Sequence, residues 1–208
     1  MNRLFLTVLV TIILTASAQA QLTFGVRAGM ICSKIWGSSE PPTNMKFGFQ
    51  FGGIADYSVN DNLSVASGFS MAMMGHSIKA GTATRTESPA YLQIPVFARY
   101  NLTDILFLSA GTYFGHFVFG NGNWSTDDYK YKLNFGREDV FGQRVYKSFD
   151  FGLSAGAGVQ FGSVKVGLEC RQGLTNAIHL SSHTSHFAQS TSKNLAFALT
   201  ATYMFGRK

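Results

Sequence analysis

Residues 149–174, FDFGLSAGAGVQFGSVKVGLECRQGL, constrain the fold more than any other stretch of the chain. Phe149, Phe151, Leu153, Ala155, Ala157, Val159 and Phe161 are apolar, and Asp150, Gly152, Ser154, Gly156, Gly158 and Gln160 stand between them. Past Gly162-Ser163 the parity flips, and Val164, Val166, Leu168 and Cys170 alternate with Lys165, Gly167, Glu169 and Arg171. Period two sustained this long marks strands with one apolar face and one small or polar face. Two such strands about a tight turn predict an antiparallel hairpin. Each exceeds the roughly 5–6 residues usual in globular proteins and matches the ~9–11 residues that a tilted strand needs to cross a bilayer. The hairpin reads as the repeating unit of a membrane barrel.

The first twenty residues read as a leader rather than as part of the fold. Arg3 gives a positive start, residues 4–14 are apolar, and Ala18-Gln19-Ala20 presents small residues where a signal peptidase reads. The apolar run is too short for a membrane helix. Cleavage before Gln21 is expected, leaving one domain over residues 21–208. Alternation then predicts strands over 22–31, 46–57, 63–73, 91–100, 105–119, 149–161, 164–174 and 195–205. In the first, Leu22, Phe24, Val26, Ala28 and Met30 oppose Thr23, Gly25, Arg27 and Gly29. Pro95 weakens the fourth, because an interior proline disrupts a ladder unless a bulge accommodates it. The fifth is apolar on both parities, so its two faces are not distinguished.

Long connections at 33–45, 76–90, 120–147 and 175–193 alternate with short turns near 60, 102 and 162. Outer-membrane barrels have this asymmetry, with short periplasmic turns and longer outside loops. The prediction is all-β: an eight-stranded antiparallel up-and-down transmembrane β-barrel of the outer membrane. Closing the first strand on the last removes the sheet edge that lipid does not tolerate. Phe24, Tyr57, Tyr100, Phe161 and Tyr203 would form one aromatic girdle, and Phe47, Phe49, Phe149 and Phe151 the other. Eight strands leave a lumen that side chains fill. The opposing face, Gly, Ser and Ala with Arg27, Asp56, Arg99, Lys165, Glu169 and Arg171, suits a packed polar interior.

Composition agrees, since only 13% of residues are charged against about 25% in soluble domains. The net charge of +6 is carried by scattered basic residues without an interleaved aromatic patch, which excludes nucleic acid as the expected partner. Outer-membrane lipid is the expected surrounding. A soluble calyx with an apolar ligand inside is the structural rival. It would bury rows of Phe, Leu and Val while exposing glycine-rich faces, and the girdles argue against it.

Two segments carry a family resemblance. Residues 24–30, FGVRAGM, follow the leader directly, and residues 91–100 read YLQIPVFARY. With the glycine-alternating 153–158 strand and the closing Tyr203-Met204-Phe205, they make essentially the whole mature chain similar to the PorT-like outer-membrane β-barrels of Bacteroidota. That family commonly has glutamate where this chain has Gln93. The resemblance implies that the proline segment stays a strand. It also implies, as a partner class, other envelope or secretion-system proteins, the family's namesake being implicated in protein secretion. It brings no catalytic residues and no cofactor.

Candidate chemistry is sparse. His179, His183 and His186 have a spacing open to a transition metal, but without a completing Cys or carboxylate a solvated loop is the expected reading. Asp127, Asp128, Glu138 and Asp139 offer oxygens for calcium, but match no calcium-loop spacing and are diluted by Lys130, Lys132, Arg137 and Arg144. Cys32 and Cys170 fall on non-neighbouring strands and are expected to be free thiols. His116 with a nearby serine is the nearest approach to a nucleophile–base pair, and no nucleophile elbow accompanies it. The expectation is no catalysis, no cofactor and no metal. Three roles stay open: a structural or surface-interaction barrel, a secretion accessory, and a narrow channel.

Overall fold

A computed structural model describes residues 22–37, 43–125, 130–135, 146–178 and 191–206. Their strands are β1 (Leu22–Trp36), β2 (Thr43–Ser58), β3 (Leu63–Met73), β4 (His76–Ala80), β5 (Ala83–Asn101), β6 (Leu106–Ser125), β7 (Lys130–Phe135), β8 (Phe149–Phe161), β9 (Val164–Asn176) and β10 (Lys193–Met204). A ring of 8, namely β1, β2, β3, β5, β6, β8, β9 and β10, runs antiparallel in chain order. β1 closes it against β10, with Gly25 opposite Met204 and Trp36 opposite Lys193. The barrel predicted from alternation is the barrel that forms.

Its turns follow local chemistry. Between β2 and β3 the Asn60 side-chain oxygen accepts from the amides of Asn62 (3.0 Å) and Leu63 (2.8 Å). Between β5 and β6 the Thr103 hydroxyl accepts from those of Ile105 (3.2 Å) and Leu106 (3.0 Å). The β8–β9 turn uses Gly162 at φ 54°, left-handed backbone that glycine adopts without a Cβ penalty.

Alternation settles inside and outside. Phe24, Met30, Phe51, Phe69, Leu153 and Leu199 point outward and are exposed; Phe47 reaches 72% and Leu168 65%. An apolar surface of this extent exceeds the patches that soluble monomers show, and a bilayer is the solvent that accepts it. The soluble calyx is excluded by this orientation, since the continuous apolar face lies outside and the charged side chains are buried inside. On β6, where sequence parity is silent, Phe107, Tyr113 and Phe117 turn inward, while Leu106, Leu108 and Phe114 turn outward.

One expectation needs correction. Parts of the long connections are strands: β4 and the start of β5 occupy the predicted 76–90 loop, while the end of β6 and β7 occupy 120–147. β4 pairs with β5 and with Thr43–Met45 of β2, and β7 pairs with β6, so a small sheet rises above the ring. β4, HSIKA, lacks the apolar–polar alternation that flags a spanning strand, and β7, KYKLNF, keeps it over only 6 residues, too few to cross a bilayer. Pro95 stays within the strand as expected, and no bulge falls at it. It pairs with Tyr113 of β6, while on the β3 side the ladder skips Ile94 and Pro95 and resumes in the same register. The β5 irregularity falls at Ala90/Tyr91.

Candidate functional site in the barrel lumen

The lumen is built from cross-strand pairs of aromatics and glycines. Phe97 faces Gly111, Phe107 faces Gly158, and Tyr113 faces Gly152 across adjacent strands. A Cβ on Gly152 would lie 2.6 Å from the Tyr113 ring, so the glycine is what lets that ring lie flat in a narrow barrel.

Near the short-turn end, Ile54, Ala66, Phe97 and Met204 form an apolar plug. Beside it, nearer the short turns along β2 and β5, Asp56 is shared by Arg99 and Lys165, the lysine at 2.6 Å. Arg27 pairs with Glu169, whose second oxygen accepts from Arg171 at 2.8 Å. Arg171 donates further to the side-chain oxygens of Gln50 and Gln93, both at 2.9 Å. The Arg99 guanidinium lies over Phe97 at 5.4 Å and Phe107 at 5.0 Å, positions that gain cation–π attraction. Sequence parity placed all six of the predicted lumen charges on this face. The partners come from strands distant in sequence, such as β1 with β9 and β2 with β9.

One layer outward, Asp150 accepts from Tyr113 (3.1 Å), Thr175 (3.0 Å) and Asn194 (2.8 Å). Ile31, Met74, Tyr91, Phe117 and Tyr146 then close the bore as one buried cluster. Phe117 stacks on Tyr146 at 5.7 Å and meets Tyr91 edge-on at 5.9 Å. At the mouth, beyond the spanning segments, Glu87 bonds Tyr146 and Arg85, with His76 3.9 Å away. Burial, helped by the charges of Arg85 and Lys46 and opposed by Glu87, lowers the His76 proton affinity. Burial and the neighbouring Glu87 push the Tyr146 hydroxyl well above its ordinary value. The mouth cluster went unread in the sequence, because His76, Arg85 and Glu87 sit in a stretch read as polar loop.

The other candidates are placed as follows. His116 faces outward, its ring 5.0 Å from that of Phe149. Cys32 and Cys170 are free and also face outward. Phe197 of β10 lies between them in register. Two strand spacings of about 4.8 Å exceed the span of a disulfide. His179, His183, His186, Asp127, Asp128, Glu138, Asp139, Arg137 and Arg144 lie outside the described residues.

The closed ring, the outward apolar belt and the charge-filled bore define an outer-membrane β-barrel protein. The chain belongs to the family of the outer membrane protein beta-barrel domain, whose model matches residues 16–179. Among solved structures it is similar to Ail, the attachment invasion locus protein of Yersinia pestis, in complex with the heparin analogue sucrose octasulfate. That match has a TM-score of 0.51 and 14% identity, over 89% of this chain and 99% of Ail. It is similar as well to Neisserial surface protein A, with a TM-score of 0.50 and 12% identity over 88% of this chain and 97% of that one. At these identities the likeness is one of fold. No curated protein sequence matches the chain.

Proposed function

We propose that this protein is a non-conducting, non-catalytic outer-membrane barrel that anchors a surface-interaction platform made by its outside connections. The observation that carries this reading is the bore itself, filled by Ile31, Met74, Tyr91, Phe117 and Tyr146, each no more than 2% exposed. A side-chain plug of this density leaves no path for hydrated ions. What such a barrel offers a partner is its rim, where β4, the start of β5, the end of β6 and β7 stand above the apolar belt. Residues 1–20 are proposed as a cleaved export signal, so intact mass should place the mature start at Gln21.

Planar-bilayer recording on the purified protein tests the reading. Current indistinguishable from the bare bilayer is expected, and persistent unitary steps would overturn it in favour of a channel. Removing residues 126–145, which spares β6 and Tyr146 of the bore, should abolish surface contacts while leaving the ring intact. The secretion-accessory role implied by the PorT-like segment 91–100 makes a different demand. Other envelope proteins would then have to co-purify with this chain even when residues 126–145 are removed.

A further inference from the structure

The lumen charges do not balance. Arg27, Arg99, Lys165 and Arg171 are buried there with three carboxylates, Asp56, Glu169 and Asp150. Four positive charges against three negative leave one positive charge inside a low-dielectric bore. Arginine does not shed its proton in proteins, and a buried uncompensated charge carries a desolvation penalty of several kcal/mol. Some of the surplus is softened by Phe97 and Phe107, but a ring quadrupole does not supply a counter-charge.

The same layer holds a cavity of about 10 Å³, room for a single occupant of water or halide size. Arg27, Arg99 and Lys165 line it, respectively 8%, 4% and 3% exposed, with the hydroxyl residues Ser109, Thr200 and Thr202. Glu169 is the one carboxylate on its wall, and both oxygens are taken, by Arg27 and Arg171. Asp56 is not part of the wall; its occupied oxygen is held by Arg99 and Lys165. The Nε–H groups of Arg27 and Arg99 are buried without an acceptor, although both side chains line the cavity. Buried donors without partners point to an occupant that accepts hydrogen bonds.

We infer that this cavity is a binding site for one small monovalent anion, chloride in ordinary media, which neutralises the surplus charge and accepts from the guanidinium groups. A water would satisfy the donors but leave the charge. Sulfate is too large for the volume and carries one charge too many.

The test uses the folded mature protein in detergent micelles. Its urea midpoint is measured as chloride replaces gluconate at constant ionic strength, and bromide is soaked into crystals for anomalous scattering. A saturable, single-site rise in midpoint is expected with chloride and bromide and not with sulfate, together with one bromide peak in the Arg27–Arg99–Lys165 cavity. Lys165→Met, which removes the surplus charge and leaves Asp56 to Arg99, should abolish the halide dependence. If that variant fails to fold, the bromide map of the natural protein decides. A cavity empty of bromide and a midpoint indifferent to halide would overturn the proposal.

Discussion

Asp56 is the lumen residue on which most depends, because one carboxylate serves both Arg99 and Lys165. Removing it leaves two cations buried and unpaired. Asp56→Ala is therefore expected to destabilise the barrel by about 3–5 kcal/mol, read from urea unfolding in micelles; a loss below ~1 kcal/mol would mean the pair is already satisfied by solvent. His76 makes a pH-dependent prediction. Burial holds its imidazole below the ordinary 6.5, so the folded state resists a proton that the unfolded chain accepts. Stability should then be highest above that value, fall as pH drops through it, and level off below the folded midpoint. An NMR titration of the His76 ring should give a midpoint under 6.5.

At the scale of elements, β5 shows how a spanning strand carries a proline. Pro95 keeps its pairing with Tyr113, and the lost amide interrupts the β3 ladder without moving its register. Restoring the amide regains one ladder bond of about 1 kcal/mol, while the loosened unfolded chain loses about 0.4–1 kcal/mol. Pro95→Ala should accordingly change stability by less than ~1 kcal/mol in equilibrium unfolding, and a larger loss would show that the ring itself packs the bore. The sheet above the ring belongs to the same scale. Its turn at Gly81-Thr82 joins β4 to β5 outside the belt, so protease added to intact cells should nick there while the spanning segments stay protected.

For the whole molecule, closure decides behaviour. A barrel without a free edge resists detergent, because no strand can open without breaking two ladders. The unboiled protein should run faster on a gel than the boiled form and should remain with the outer-membrane fraction after salt washing. Release by salt or osmotic shock would contradict a lipid-facing belt. A point change in the bore, such as Gly152→Ala beneath Tyr113, should lower the temperature at which the two bands interconvert.

The sequence by itself determined the parity of the spanning strands other than β6, the number in the ring, and six of the charges that face the lumen. All three follow from a period of two set against an apolar solvent, and Leu22–Met30 of β1, all of β8 and Val164–Arg171 of β9 display that period without interruption. Only the tertiary structure decided which face of β6 is inside. Two of its three inward aromatics face glycines across the ladder, Phe107 with Gly158 and Tyr113 with Gly152, while Phe117 faces Tyr91, and register is not written in either strand alone. The same holds for β4, which has no alternation, and for β7, whose 6 alternating residues are too few to mark a spanning strand. Asp56 with Lys165 and Arg27 with Glu169 lie 109 and 142 residues apart. Charge balance in the bore, and the cavity beside it, exist only once closure has brought those strands around one axis.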